Sequence, residues 1–227
     1  MHTLVSPPMT NLAAQREQLA QSVEEKHGPF DPQLLAAIRQ VPRERFVRPE
    51  DMERSADDVP LPLDEEGWAT VSAPHAYLLS YRLLALGPDD SLLELGTGTG
   101  YGAALASHVV GPRGHVTTIE IDAFLASRAR ALLLELPNVT PLHGDAVNAT
   151  TLWRAARKVV CTFAVDEIPE AWLEALPDGG LLVAPVGARP EDQQLIRVAR
   201  DGSSFRTTRH GGVRYVRNRS RARRSVP

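Results

Sequence analysis

A single cysteine, Cys161, occurs in this chain of 227 residues. One thiol excludes an intramolecular disulfide and any multi-cysteine zinc site. Aromatic residues make up only 5% of the chain, and lysine occurs twice, at Lys26 and Lys158. So even a scarcity of lysine reads as genomic base composition. No apolar run reaches the ~18 residues that a membrane-spanning helix needs, so no membrane partner is expected. Residues 1–10 lack a basic start followed by an apolar stretch; no secretory signal is expected, and a cytoplasmic location is the default. What remains is ordinary: 43% hydrophobic and 23% charged residues, which exclude collagen-like, disulfide-scaffold and strongly disordered classes. The length suits one α/β domain with a decoration.

Charge is unevenly placed. The net charge is −3, yet from Ser203 onward there are eight arginines and no acid, so taking those eight away leaves −11 on residues 1–202. Three segments follow: helices and a wrapping stretch over 1–70, alternating strands and helices over 71–202, and a strand with an arginine-rich tail over 203–227. Thr10 or Asn11 can cap a run carrying Leu12, Leu19 and Val23, and Asp31-Pro32 opens a second helix that Val41-Pro42 stops. Four prolines between 42 and 68 predict irregular chain. Helices are predicted from Ser72-Ala73-Pro74 to Leu86, over 101–110 and over 123–136. Strands are predicted over 91–95, 115–121, 139–143, 159–163 and 181–186, with more at 195–198 and around Arg206. This alternation implies a doubly wound, mainly parallel sheet, whose ligands bind outside the carboxyl ends of the strands.

The sharpest loop follows the first of these strands: Glu94-Leu95-Gly96-Thr97-Gly98-Thr99-Gly100-Tyr101. Its glycines permit positive φ and bare backbone against a ligand. A dinucleotide loop would place its third glycine where Tyr101 stands, and a pyrophosphate disfavours the adjacent carboxylate of Glu94. S-adenosylmethionine carries a sulfonium and an ammonium, and a carboxylate suits both. The next strand ends in Glu120-Ile121, where the acid can accept two ribose hydroxyls. The one after ends in Gly144-Asp145, which can accept from an adenine amino group, although Gly-Asp is also ordinary turn chemistry. Three strand ends bearing Glu94, Glu120 and Asp145 in order point to an S-adenosylmethionine-dependent methyltransferase. Its loop would comprise Gly96, Thr97, Gly98, Thr99 and Gly100, and no metal is expected.

Further segments carry a resemblance. Val41-Pro42-Arg43-Glu44-Arg45-Phe46-Val47, Pro60-Leu61-Pro62-Leu63 and Ala69-Thr70-Val71-Ser72-Ala73-Pro74-His75 are similar to stretches of the protein-L-isoaspartate O-methyltransferase family. Glu167-Ile168-Pro169 resembles its segment after strand four. Gly179-Gly180-Leu181-Leu182-Val183-Ala184-Pro185-Val186-Gly187 resembles its last core strand, and Val213-Arg214-Tyr215-Val216 its closing strand. The resemblance implies a class I methyltransferase fold with an N-terminal helical extension. It implies that residues 70–75 close over the cofactor, and that Ser72, with Thr70 and His75, faces the acceptor. Ser72 is equally a helix N-cap, and His75 reads more readily as a packed first-turn residue.

The implied acceptor is the carboxylate of an isoaspartyl or aspartyl residue in a protein or peptide. With a pKa near ~4 it is already nucleophilic at neutral pH, so no catalytic dyad is required. The ester then closes to a succinimide. Departures from the family pattern fall on the acceptor side. Thr162-Phe163-Ala164-Val165-Asp166 replaces the usual Thr-Ala-Ala, Arg157 replaces the usual acid, and Arg217 stands at the usual proline. Thr162, Phe163, Asp166, Arg214 and Arg217 are therefore the candidate substrate residues. An alternative is a tailoring enzyme for one ribosomally made acidic precursor peptide, gripped by the basic tail. A more remote one is a peptide- or RNA-binding module with a vestigial cofactor pocket; nucleic acid is disfavoured because Tyr215 is the only aromatic among the tail arginines. A monomer is expected.

Overall fold

The computed structural model describes residues 10–218. Helix α1 (Thr10–His27) packs on α2 (Pro32–Gln40), whose N-terminus is capped by Asp31, its carboxylate accepting the Gln33 N–H at 2.9 Å. The stretch after α2 is irregular, as its prolines predict: two 3-10 turns, Arg43–Arg45 and Pro49–Arg54, lead to β1 (Leu61–Pro62), which pairs antiparallel with β2 (Thr70–Val71). One side chain organises this wrap. The buried Arg43 guanidinium donates to the carbonyls of Ser55, Asp57, Val59 and Ser72 at 2.6–3.2 Å and lies over the Tyr101 ring. Four carbonyls that no ladder satisfies thereby gain a charged donor, which is why an irregular segment can lie buried.

Helix α3 (Pro74–Leu83) leads into the main sheet, where β3 (Ser91–Leu95), α4 (Tyr101–Val110), β4 (His115–Glu120), α5 (Ala123–Leu132) and β5 (Val139–His143) alternate. β6 (Lys158–Cys161), α6 (Glu170–Ala175), β7 (Leu181–Val186), β8 (Gln194–Asp201) and β9 (Ser204–Gly212) complete it. The strand order is β5-β4-β3-β6-β7-β8-β9; β5 through β7 are parallel, and β8 and β9 are antiparallel. Parallel strands covered on both faces should be continuously apolar, and β3 reads Leu92-Leu93-Glu94-Leu95, every residue buried. Leu92 turns to a core shared with α1 to α4, while Leu93 and Leu95 turn to a second core containing the fully buried Trp153 and Trp172. No helix among the described residues is long and apolar enough to cross a membrane.

Several boundaries differ from expectation. α3 stops at Leu83, because the chain turns at Ala85 with φ of 48°. α5 stops at Leu132, five residues before Pro137. β6 ends at Cys161, so Thr162 and Phe163 leave the strand. β8 and β9 form a longer hairpin than their apolar pattern indicated, turning through Gly202-Ser203. Residues 213–216 form no strand. They are held instead by Gln193, whose side chain accepts the Tyr215 N–H at 2.6 Å and donates to the Tyr215 carbonyl at 3.1 Å. Arg219, Arg221, Arg223 and Arg224, half of the expected basic tail, lie outside the described residues.

Candidate active site

The strand order reverses at β3, which has β4 on one side and β6 on the other, so the loops leaving β3 and β6 diverge and open a crevice. The glycine loop lies there. The N–H groups of Gly96 and Thr97 both donate to the Ile119 carbonyl at 2.9 and 3.2 Å, which staples the loop to the end of β4. Gly96, Gly98 and Gly100 have φ of 97°, 58° and 99°. A Cβ on Gly96 would stand 2.5 Å from the Thr162 hydroxyl and 2.9 Å from the Phe163 ring, so the conformation and the space both demand glycine.

Glu120 closes the loop from β4. Its carboxylate is nearly buried and accepts the N–H groups of Gly98 at 2.7 Å and Asp122 at 3.0 Å. Asp145 ends the next connection and accepts from the Val147 N–H and the Asn148 side-chain amide. Gly96, Gly98, Glu120, Ile121 and Asp145 line one open pocket. Thr70, Thr162, Phe163 and Arg217 line the same pocket from the other loops. Backbone without side chains, flanked by carboxylates at two strand ends, suits a cationic ligand that bears ribose and adenine.

Other expected residues are placed elsewhere. Glu94 is only 1% exposed and points beneath the loop toward α4, close to Gly102. Its carboxylate accepts the Thr118 hydroxyl at 2.7 Å, and that hydroxyl meets the Thr97 hydroxyl at 2.6 Å. Burial raises the Glu94 pKa to about 8; the Thr118 hydrogen bond opposes this and the nearby Glu120 charge adds to it. Thr99 donates to the Phe46 carbonyl at 2.7 Å, and Gly100 caps α4 against Leu133. These residues support the loop from below rather than lining the pocket. Gly144 likewise serves the backbone, its N–H donating to the Glu120 carbonyl.

On the acceptor side, Thr70 reaches the pocket, whereas Ser72 and His75 are absent from its lining. Ser72 does not cap α3; Ala73 holds the cap position and makes no side-chain bond. The cap comes from outside the helix, because the Asp58 carboxylate accepts the His75 N–H at 3.0 Å and also meets the His75 ring. Ser72 instead meets the Tyr77 hydroxyl through its N–H and its side chain. Phe163 packs edge-on against Trp172, and Thr162 donates to the Leu95 carbonyl at 3.1 Å. Arg217 pairs with Asp166 and donates to the Ala188 carbonyl, so two of the candidate substrate residues contact each other. Arg214 is exposed and is not among the pocket residues.

Residues missed by the sequence reading include Trp68, Ala69, Leu125 and Val216. Trp68, an exposed aromatic beside Gly67, carried a local signal. Val216 carried only the resemblance to a closing strand, with no sign that it reaches the pocket. It arrives because the Ala164 N–H donates to its carbonyl across 52 residues of chain.

The family model described as Protein-L-isoaspartate(D-aspartate) O-methyltransferase matches residues 14–223. The chain belongs to this family. A protein-L-isoaspartate O-methyltransferase of Methanothermobacter thermautotrophicus is 34% identical over 205 residues, covering 89% of this chain and 94% of the relative. One from Ignicoccus hospitalis is 40% identical over 176 residues, covering 76% of this chain and 82% of its own. Among solved structures, a protein-L-isoaspartate O-methyltransferase superposes with a TM-score of 0.80 at 24% identity; 89% of this chain spans 65% of that longer one. A Plasmodium falciparum protein of the same name, solved in complex with S-adenosyl-L-homocysteine, gives 0.76 at 18% identity, covering 89% of this chain and 97% of its own. These two likenesses establish the fold, a class I methyltransferase sheet, and the family match covers the extension, the glycine loop and the acceptor side in one run.

Proposed function

We propose that this protein methylates the free carboxylate of isoaspartyl residues in proteins or peptides, with S-adenosylmethionine as donor. The observation that carries this is the single crevice in which the glycine loop with Glu120 forms one wall and Thr70, Phe163 and Arg217 form the other. Glu120 would hold the ribose hydroxyls, Asp145 the adenine amino group, and the bare backbone of Gly96 and Gly98 the methionine end. When bound, the cofactor supplies an electrophilic methyl on a positively charged sulfur.

The residues then have little proton chemistry to perform. An isoaspartyl α-carboxylate is ionised at neutral pH and is itself the nucleophile. The chain must exclude water, hold that oxygen in line with the methyl, and donate to the second carboxylate oxygen. We assign that donation to the Thr70 hydroxyl. The ester leaves as methanol when the following backbone nitrogen attacks its carbonyl, an intramolecular closure to a five-membered succinimide.

General acceptance of isoaspartyl sites is favoured over a dedicated acidic peptide. Of the arginines proposed to grip such a peptide, Arg217 is engaged with Asp166 and Arg214 is not among the residues that line the pocket. Incubation with S-adenosylmethionine and an isoaspartyl hexapeptide should add one methyl by mass and release methanol, while the aspartyl counterpart stays unchanged. Failure to modify the isoaspartyl peptide would overturn the reading.

A further inference from the structure

Outside the crevice, three side chains from separate elements converge. His27 is the last residue of α1, Asp58 lies in the connector before β1, and His75 sits in the first turn of α3. Oδ2 of Asp58 is 2.9 Å from Nδ1 of His75 and 3.2 Å from Nε2 of His27. The two imidazoles stack, with ring centres 4.0 Å apart and planes 15° apart. One ligand atom from each of the three residues lies within 4.8 Å of the others. The Asp58 side chain is 7% exposed, and the His27 and His75 side chains are 32% and 28% exposed.

These distances have a meaning for metal chemistry. With zinc–ligand bonds of ~2.0–2.1 Å in a tetrahedron, neighbouring donor atoms stand roughly 3.3–3.4 Å apart. The two histidine-to-aspartate edges are already near that length. Oδ1 of Asp58 accepts the His75 backbone N–H at 3.0 Å and also meets the His75 Nδ1 at 3.0 Å, while Oδ2 meets both rings. A backbone donor holding the carboxylate in this way is the outer support that metal ligands usually have. Two imidazoles and one carboxylate are the donor set of a zinc site with one position open to solvent.

We propose that His27, Asp58 and His75 form a binding site for a divalent transition cation, Zn²⁺ being the ion that their donor atoms suit. To bind it, the stacked rings turn so that their in-plane lone pairs meet at one point, and the partial exposure of both rings leaves room for that turn. None of the three residues lines the crevice, so the ion takes no part in methyl transfer. Its effect is mechanical: it ties the end of α1 and the connector to the start of α3, immediately after the strap that carries Thr70 and Ser72.

The test uses the tag-free full chain, stripped with a chelator and titrated with zinc chloride by calorimetry near pH 7.5. The expected result is one ion per chain with micromolar affinity or tighter. A hundredfold excess over the dissociation constant should raise the melting temperature by about 5–10 °C. His27→Asn should weaken binding at least 30-fold while leaving methyl transfer unchanged, and His75→Asn gives a second reading of the same loss. X-ray absorption of the loaded protein should show nitrogen and oxygen at ~2.0–2.1 Å and no sulfur. No saturable binding by the wild type, or equal binding by the wild type and both variants, overturns the proposal.

Discussion

The Glu120 carboxylate accepts the Gly98 N–H at 2.7 Å, joining the tip of β4 to the middle of the glycine loop. One acid thus shapes the loop and faces the crevice. Removing it takes the carboxylate partner from two backbone donors, Gly98 and Asp122, and takes away the acceptor proposed for the ribose. Glu120→Ala should weaken S-adenosylhomocysteine binding by about 10- to 100-fold, a loss of ~1–3 kcal/mol, in a protein that still melts cooperatively. Calorimetric titration checks it; unchanged affinity would remove Glu120 from the site.

Gly96 and Gly98 should respond differently to alanine although both have positive φ. At Gly96 the new methyl meets the Thr162 hydroxyl at 2.5 Å and the Phe163 ring at 2.9 Å; at Gly98 its nearest neighbour is a Leu63 methyl at 3.4 Å. Gly98→Ala should cost only the backbone strain, ~1 kcal/mol, and Gly96→Ala about 2–3 kcal/mol more. Urea unfolding of both variants measures the difference, and adding Thr162→Ala to Gly96→Ala should recover part of it.

Glu94 makes the stability of the ligand-free protein depend on pH. Its pKa rises from an ordinary 4.5 to about 8 on folding, chiefly through burial. The folded state therefore binds more protons than the unfolded chain between those values, and stability falls as pH rises through that window. Below about 4.5 both states are protonated and the penalty vanishes. Glu94→Gln, which keeps the Thr118 hydrogen bond, should be close to wild type at pH 4.5 and more stable by a few kcal/mol at pH 8. Denaturant midpoints at the two pH values test the sign; a gap that is constant with pH would contradict it.

Arg217 stands where the resemblance implies a proline, and the bridge to Ala164 at this position does not use its own N–H. The bridge to Ala164 uses the Val216 carbonyl and the Asn218 N–H, so proline at 217 removes neither bond. The ion pair with Asp166 joins partners that are 50% and 31% exposed, and such pairs contribute little. Arg217→Pro should change stability by less than about 1 kcal/mol. Its effect should appear in the KM for isoaspartyl peptides and not in cofactor affinity, which steady-state kinetics and calorimetry separate.

Much of this site was legible because its signals are local. A short apolar strand, a glycine run and an acid at the next strand end are set by neighbours a few residues apart, and strand alternation with helices restricts how those ends can meet. Gly96, Gly98, Glu120, Ile121 and Asp145, all named from the sequence, line one pocket. Glu94, expected at the ligand, lies on the Leu92 face beneath α4, as period-two alternation along β3 dictates. The capping half of the Ser72 reading fails because the group that takes the α3 N–H, Asp58, lies 17 residues upstream of His75.

By itself, the amino-acid sequence determined the order of strands and helices, the sheet class, the glycine loop and the acids at the β4 and β5 ends, since each depends on spacing along a few turns or pleats. Only the tertiary structure decided that Arg43 would hold the strap, that Val216 would return to Ala164, and that His27, Asp58 and His75 would meet. Those contacts join residues 17 to 52 positions apart through irregular chain, where no periodicity records which groups must satisfy one another once water is excluded.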